Sequence, residues 1–337
     1  MILFRLPWLL RRLVVAILLV VLGASTLAAQ AQPTLAPRDT SFTVASALRK
    51  ARKTHPTITL ARPTVPTTIQ ARQNLTYCTV GGRALQLDIF YPKAKRPAGY
   101  PAVLLIHGGG WSSGDRSHHV PIAQQLAARG YVTVTADYRL SPEARYPAAV
   151  TDLKAAVRWL RAQDGTYPID TTRIAVWGFS AGGQLAALLG TTNGDAQLEG
   201  EACHTSRSSR VQAIIDVDGT LAFIHPESGE GDDSKGLSAA TRWFGASKTE
   251  NLALWHQAGA LNHVSDQTPP ILFLNSVLDR MHAGRDDMTK KLDAFGIYHE
   301  THTFARAPHT FPLFHPWFEP TLTYTAAFLA KVFPPRP

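Results

Sequence analysis

The sequence contains few of the patterns that build metal centres, repeat folds or nucleic-acid surfaces. It has two cysteines in 337 residues and neither a CxxC nor an HExxH pattern, which argues against a zinc site. No segment repeats, which excludes a solenoid. The formal net charge is +9, but only Arg49–Lys53 is densely basic. We therefore expect no nucleic-acid partner.

Long apolar runs are absent as well, except at the N-terminus. Three arginines, the last two being Arg11 and Arg12, precede the apolar run Leu13–Leu22, and small residues typical of a cleavage site follow. This order predicts a signal peptide over residues 1–31 and a secreted or periplasmic protein. The run is short for a membrane span. An uncleaved anchor, which would make a membrane the partner, is the alternative.

The remaining chain is long and apolar enough for one sizeable domain, since 45% of all residues are hydrophobic. Residues 32–74 are rich in proline and threonine, which predicts a linker or loosely packed arm with a helix at Phe42–Lys53. The folded domain is predicted over residues 75–333. In an oxidising compartment Cys78 and Cys203 can form a disulfide, although nothing in the sequence shows that they meet.

Residues 75–333 alternate between short buried strands and helices. A hairpin is predicted across Gly81 and Gly82. The strands that follow are predicted at Ala102–Ile106, Tyr131–Ala136, Arg173–Trp177, Val211–Val217, Ile271–Asn275 and His299–Phe304. The helices are predicted at Pro121–Arg129, Ala148–Ala162, Ala181–Leu189, Met288–Phe295 and Thr321–Val332. This alternation predicts an α/β fold whose mostly parallel central sheet has helices on both faces.

One long stretch interrupts the alternation. Residues 219–262 contain no clear strand, and they follow the predicted strand Val211–Val217. An insertion at the carboxyl end of a strand in such a sheet lies over the ligand site, which predicts a small cap. The alternative is a helical excursion packed on the sheet edge.

The segment Gly178–Gly183 carries the clearest chemical signal. Its G-x-S-x-G pattern follows a predicted strand and opens a predicted helix, the layout of a nucleophile elbow centred on Ser180. Gly178 and Gly182 remove the side chains that would clash in so tight a turn. The adjacent helix N-terminus offers free N–H groups to an oxygen that becomes negative.

A nucleophilic serine needs a histidine base, which an acid must hold in place. His309 is the predicted base, because it follows the last strand and reaches the edge of the sheet where Ser180 lies. Asp279 is the predicted acid, since it follows the strand Ile271–Asn275. Asp218, after the preceding strand, and Asp286, which opens a helix, are the alternatives.

The segment His107–Trp111 directly follows the strand Ala102–Ile106 and contains three successive glycines. Glycines let the backbone approach a substrate closely and turn its N–H groups inward. We expect Gly109, Gly110 and Ala181 to donate to the oxyanion.

Together these motifs resemble the α/β-hydrolases of the HGGG-type esterase/lipase family. His107–Gly110, Asp137–Glu143 and Gly178–Gly182 match that family in order, and Phe314–Pro320 is similar to bacterial acetylxylan and feruloyl esterases. The resemblance implies a serine carboxylesterase that forms an acyl-enzyme, needs no cofactor or metal, and acts on small or polysaccharide-linked acetyl or feruloyl esters.

Two positions depart from the family pattern. Asn275–Asp279 stands where the family often has His-Gly-x-x-Asp, which weakens the choice of Asp279, and Pro308 replaces a common glycine. Trp111 and Trp243 are candidates for contact with a sugar or aromatic group, with buried packing as the alternative. A serine peptidase of the same fold and an inactive hydrolase that only binds ligands are the rival functions.

Overall fold

Residues 39–163 and 165–334 are described by a computed structural model of the chain. The predicted signal peptide over residues 1–31 lies outside them. The described residues belong to one compact unit. In the part of the chain that the structure covers, no helix is both long enough and apolar enough to cross a bilayer.

The centre of the fold is an eight-stranded sheet with the order β2-β3-β5-β4-β6-β7-β8-β9. Only β3 runs against the others, so the sheet is mostly parallel, as predicted. A separate two-stranded sheet pairs β1 with β10. The strands are β1 Thr59–Leu60, β2 Ile69–Val80, β3 Arg83–Pro92, β4 Tyr100–Ile106, β5 Val132–Ala136, β6 Ile169–Phe179, β7 Ala213–Val217, β8 Ile271–Asn275, β9 His299–Thr303 and β10 Phe314–His315.

Helices connect the parallel strands and cover the sheet. The α-helices are α1 Val44–Ala51, α2 Val120–Ala128, α3 Ala148–Ala162, α4 Ala181–Thr191, α5 Ala196–Glu199, α6 Ala239–Phe244, α7 Leu252–Gln257, α8 Arg285–Ala294 and α9 Phe318–Val332. Short 3₁₀ helices lie at Arg116–His119, Ala260–His263, Asp279–Met281 and Phe311–Leu313.

Strand β4 shows why the sequence folds this way. All seven of its residues are buried, and alternate side chains enter two different cores. Leu104 and Ile106 pack with helices α3 and α4 on one face of the sheet. Leu105 packs with α2 and α9 on the other face. A strand buried on both faces must be apolar throughout, which explains its uninterrupted hydrophobic run.

The predicted elements and the α/β-hydrolase fold class are confirmed, with shifts of a few residues at most ends. The segment predicted as a linker or loosely packed arm differs from its prediction. Residues 39–60 contain α1 and β1, and α1 packs Ala47 and Ala51 against Leu313 and Phe314. The first large strand begins at Ile69 rather than near Leu75. The domain therefore includes much of the segment predicted as a linker, because apolar residues hidden among its prolines and threonines find partners near the C-terminus.

The two cysteines form a disulfide between β2 and the loop after α5. Cys78 and Cys203 are 125 positions apart in the sequence, with their Cα atoms separated by 5.6 Å. Cross-linking so long a loop restricts the unfolded chain strongly. The bridge therefore ties the sheet edge at β2 to the segment before β7.

Replacing Cys78 and Cys203 together by alanine should lower the free energy of unfolding by about 2–5 kcal/mol. Urea unfolding of both proteins, with and without reductant, measures this. The double variant should not respond to reductant, whereas the wild type should. Equal midpoints for the two proteins would show that the bridge does not stabilise the fold.

Candidate active site

Ser180 lies on a strained turn between β6 and α4. Its backbone has φ 58° and ψ −123°, a region that non-glycine residues seldom occupy. The amide of Ser180 donates to the carbonyl of Val217, at the end of the neighbouring strand β7, at 2.8 Å. This bond fixes the turn on the sheet and leaves the side chain above the carboxyl edge of the strands.

The two glycines of the turn are sterically required, as the sequence predicted. A Cβ atom on Gly178 would lie 1.8 Å from the carbonyl oxygen of Gly182. A Cβ atom on Gly182 would lie 2.2 Å from the carbonyl oxygen of Ile106. Both contacts are with backbone and cannot be relieved by rotating a side chain. The elbow thus packs directly against the end of β4, where the glycine-rich loop begins.

The glycine-rich loop turns sharply beside Ser180. Gly109 and Gly110 both have positive φ values, 127° and 58°. The carbonyl of Gly109 accepts hydrogen bonds from the amides of Ser112 and Ser113. Among residues 39–163 and 165–334, no backbone acceptor contacts the amide of Gly110. Gly110 and Ala181, which opens helix α4, line one cavity with Ser180.

The Asp137–Glu143 segment holds this loop from behind. The hydroxyl of Tyr138 donates to the carbonyl of His107 at 2.9 Å, and the two rings stack at 4.4 Å. The amide of Ser141 donates to the carbonyl of Trp111 at 2.7 Å. Arg139 binds Asp152 on helix α3 through several hydrogen bonds, the shortest 2.8 Å long. These contacts give the segment a structural role behind the glycine-rich loop.

His309 lies within hydrogen-bond distance of the predicted nucleophile. Its Nε2 atom is 2.9 Å from the Ser180 hydroxyl oxygen, and its ring packs on Phe179. Its side chain remains 24% exposed. The prediction that the loop after β9 carries a histidine to Ser180 agrees with this geometry.

The carboxylate behind His309 belongs to Asp218, not to Asp279. Nδ1 of His309 donates to Asp218 Oδ2 at 2.9 Å, and the amide of Ser276 donates to Oδ1 at 2.7 Å. A carboxylate can only accept, so this bond places the imidazole proton on Nδ1. Nε2 is then free to accept from the Ser180 hydroxyl. Asp218 is buried, which keeps water from competing for it.

The choice of Asp279 is therefore wrong for this structure. The Asp279 side chain is 84% exposed, and its nearest ionic neighbour is His282, at 4.0 Å. It opens the 3₁₀ helix Asp279–Met281, which directs it into solvent. Asp286, the other alternative, is 67% exposed and pairs with Arg285. Of the three candidate acids, only Asp218 extends from a strand end next to the elbow.

The insertion after β7 contributes to the site, as expected of a cap. A cavity of about 50 Å³ adjoins Ser180. Its walls are Gly110, Trp111, Ser180, Ala181, Asp218, Thr220, Glu230, Ala239 and Met281. Sequence reasoning missed Thr220, Glu230 and Ala239, because it identified the insertion as a whole without a motif inside it. It also missed Met281, which lies in the 3₁₀ helix after β8.

We interpret the cavity as the acyl side of the nucleophile. An ester bound for attack directs its leaving oxygen towards the base, which is His309. In the part of the chain described, His309 is not among the residues that form the cavity wall, whereas its partner Asp218 is. An acyl chain directed away from His309 would enter the cavity.

The two tryptophans considered as ligand contacts are packed in the core. The rings of Trp111 and Trp243 stack at 4.8 Å, and both side chains are buried. Trp111 Nε1 donates to Gln184 Oε1, and Gln184 Nε2 donates to the carbonyl of Ala258, both at 2.9 Å. This buried chain joins the glycine-rich loop, helix α4 and the insertion. Sequence reasoning did not identify Gln184, since no pattern marks it.

A second carboxyl group lies under the elbow. Asp216 on β7 is fully buried, and in the described part of the chain neither of its oxygens has a well-formed hydrogen bond. Burial first, and then the charge of Asp218, raise the pKa of Asp216 well above its usual value, while the Gly219 amide and Arg285 oppose this. The neutral form of Asp216 is therefore favoured.

Comparison with known proteins gives a family and several relatives. Residues 87–284 match the family model BD-FAE. Esterase LipC of Mycobacterium tuberculosis (strain ATCC 25618 / H37Rv) is 36% identical over 134 residues, which cover 40% of this chain and 33% of LipC. An ethyl acetate hydrolase of Pseudomonas putida is 39% identical over 118 residues, which cover 34% of this chain and 37% of the hydrolase. The aligned regions thus span about a third of these relatives' own length.

Solved structures share the fold. A truncated carbohydrate esterase from gut microbiota superimposes with a TM-score of 0.68 at 22% identity. The match covers 80% of this chain and 98% of that one. At this level of identity the likeness confirms the α/β-hydrolase architecture.

Asp218→Asn should slow covalent labelling of Ser180 by a fluorophosphonate probe about 10³–10⁴-fold, because an amide no longer enforces the productive imidazole tautomer. Asp279→Asn, the matched control, should label within about threefold of the wild type, since its side chain points into solvent. Labelling rates followed by mass spectrometry measure both. A slow Asp279→Asn beside a normal Asp218→Asn would reverse the assignment.

Asp216→Asn should gain stability relative to the wild type as pH rises from about 4 to 8. Below the unfolded pKa of about 4, folded and unfolded wild type both hold the proton. Above that pH only the unfolded state releases the proton. The free energy of unfolding of the wild type therefore falls until the pH reaches the raised pKa that Asp216 has in the folded protein. Denaturant unfolding of both proteins at several pH values tests this. A stability difference independent of pH would contradict it.

Proposed function

Since the chain belongs to the BD-FAE family, we propose that it is a serine carboxylesterase that cleaves esters through an acyl-enzyme. The observation that carries the proposal is the hydrogen-bonded chain from Asp218 through His309 to Ser180. The esterase names of its relatives support the same class of reaction.

Acylation begins when Ser180 Oγ attacks the ester carbonyl and its proton passes to His309 Nε2. The imidazolium is stabilised by its hydrogen bond to the carboxylate of Asp218. Negative charge moves to the carbonyl oxygen, which lies against the amides of Gly109, Gly110 and Ala181. Losing one such donor typically costs about 10²–10³ in rate. The tetrahedral intermediate then collapses and the C–O bond to the alcohol breaks, while His309 returns the proton to the leaving oxygen.

Deacylation repeats these steps with water as the nucleophile. His309 takes a proton from the water, whose oxygen attacks the acyl carbon of the Ser180 ester. The collapse releases the carboxylic acid and restores the Ser180 hydroxyl. The proposed steps use only side chains and backbone amides of this chain.

The shape of the site favours a small acyl group on a large alcohol. The acyl cavity of about 50 Å³ has room for a few water-sized groups. An acetyl group fits, whereas the aromatic ring and linker of a feruloyl group would extend beyond it. The alcohol side is bounded by His309, whose side chain is partly exposed. Acetylated polysaccharide meets both conditions, and the resemblance to acetylxylan esterases supports it.

The disulfide supports activity outside the cytoplasm. Bridges such as Cys78–Cys203 persist in oxidising compartments and are rare in reducing ones. Together with the arginine-flanked apolar run of the predicted signal peptide, this favours a secreted or periplasmic enzyme. Cell fractionation with an antibody to the mature chain tests the location.

The kcat/KM for p-nitrophenyl esters should fall at least tenfold from acetate to octanoate, because the longer chain exceeds the cavity. Ser180→Ala should lower hydrolysis of the acetate by about 10⁴-fold or more. In parallel, acetylated xylan should release acetate faster than feruloylated xylan releases ferulate. If Ser180→Ala and the wild type hydrolyse p-nitrophenyl acetate at equal rates, Ser180 is excluded as the nucleophile. If ferulate is released faster than acetate, the proposed acyl preference is excluded.

A further inference from the structure

Glu230 brings a carboxylate into the wall of the acyl cavity. It comes from the insertion after β7, between that strand and helix α6. The amide of Ala240, in the first turn of α6, donates to its Oε2 atom at 3.2 Å. That contact holds the carboxylate in place. Among the described residues, Oε1 has no hydrogen-bond donor, so it is available to a group inside the cavity.

Two carboxylates line this cavity, and their surroundings differ. Asp218 has both oxygens occupied, by His309 and by the amide of Ser276. Glu230 has only one occupied and, within residues 39–163 and 165–334, forms no ion pair with a lysine, arginine or histidine. Of the two carboxylates in the wall, Glu230 is therefore the one with an oxygen left for the substrate.

The insertion that contains Glu230 is rich in carboxylate side chains. Residues 219–262 contain five carboxylate side chains and three lysines or arginines, although the whole chain carries a net charge of +9. The insertion thus has a negative formal charge of its own, while Arg280 lies beside Gly229 and Lys248 beside Gly231.

We propose that Glu230 is a specificity residue for the acyl group, an inference that rests on the esterase function proposed above. Its free oxygen accepts a hydrogen bond from a hydroxyl on a short acyl chain, and its charge repels an acyl chain that carries a carboxylate. The substrate class it favours is short 2-hydroxyacyl esters, such as glycolyl esters, alongside acetyl esters. Half-esters of short dicarboxylic acids are disfavoured.

Elementary electrostatics sets the size of the effect. A second carboxylate within a cavity this small lies a few ångströms from Glu230, where like charges repel appreciably even at a high effective dielectric constant. A hydroxyl that donates to a charged acceptor gains more than one that donates to a neutral acceptor. Because Glu230 is only half-buried, solvent weakens both effects, and we expect changes of about tenfold rather than a thousandfold.

The test compares three ethyl esters that differ only in the acyl group: ethyl acetate, ethyl glycolate and monoethyl malonate. The wild type should prefer glycolate to acetate and should hydrolyse the malonate half-ester poorly. Glu230→Gln keeps a carbonyl oxygen for the Ala240 amide while removing the charge. It should raise the malonate-to-acetate ratio of kcat/KM about tenfold and lower the glycolate-to-acetate ratio about threefold to tenfold.

Glu227→Gln is the matched control. It removes one negative charge from the same loop, but the carboxylate of Glu227 binds the amide of Gly284 and does not line the cavity. For Glu227→Gln, the malonate-to-acetate and glycolate-to-acetate ratios of kcat/KM should equal those of the wild type. Glu230→Ala provides a second test, because it should change the malonate ratio in the same direction even if the amide variant folds poorly.

The outcomes separate the two proposals. If the wild type hydrolyses none of the three esters, the proposed esterase function fails. If it hydrolyses them but the ratios of both Glu230 variants match the wild type, the function stands and Glu230 does not select the acyl group. Equal shifts in Glu227→Gln would assign the effect to the overall charge of the loop and would also overturn the proposal.

Discussion

One backbone hydrogen bond aligns the whole site: the amide of Ser180 donates to the carbonyl of Val217. Strands β6 and β7 pair in register, with Phe179 opposite Val217, so the next residue of each strand is its functional one. Those residues are Ser180 and Asp218. The amide of Asp218 in turn donates to Leu274 on β8. Three strand ends are thus joined at the edge where the chemistry takes place.

The pairing of β6 with β7 also explains why the acid is the residue that follows β7. Asp218 has a positive φ of 52°, which turns its side chain across the sheet edge towards His309. The amide of Ser276, just past the end of β8, then binds the outer oxygen of the carboxylate. Strand β8 therefore supports the acid without supplying it. Asp279, three residues further along, is carried away from the imidazole by its 3₁₀ helix.

Much of this arrangement could be predicted from the sequence. Ser180 and the glycine-rich loop carry local patterns whose glycines are required by backbone contacts, and His309 follows the last strand at the expected place. The acid had no such pattern. Asp218 and Asp279 both follow parallel strands that are neighbours in the sheet, so order along the chain cannot separate them. The decision depends on a backbone torsion and on one amide, neither of which leaves a sequence signal. Gln184 and Glu230 were missed for a related reason, since each acts through a tertiary contact with a distant segment.

The site has a small acyl cavity under the insertion and a more open alcohol side at His309. Between them Ser180 reacts while Asp218 holds the base. The most direct measurement is a crystal structure of the protein after reaction with diethyl p-nitrophenyl phosphate. We predict phosphorus bonded to Ser180 Oγ, the phosphoryl oxygen against the amides of Gly109, Gly110 and Ala181, and His309 Nδ1 hydrogen-bonded to Asp218. Phosphorylation of another residue, or an imidazole held by Asp279, would contradict this prediction.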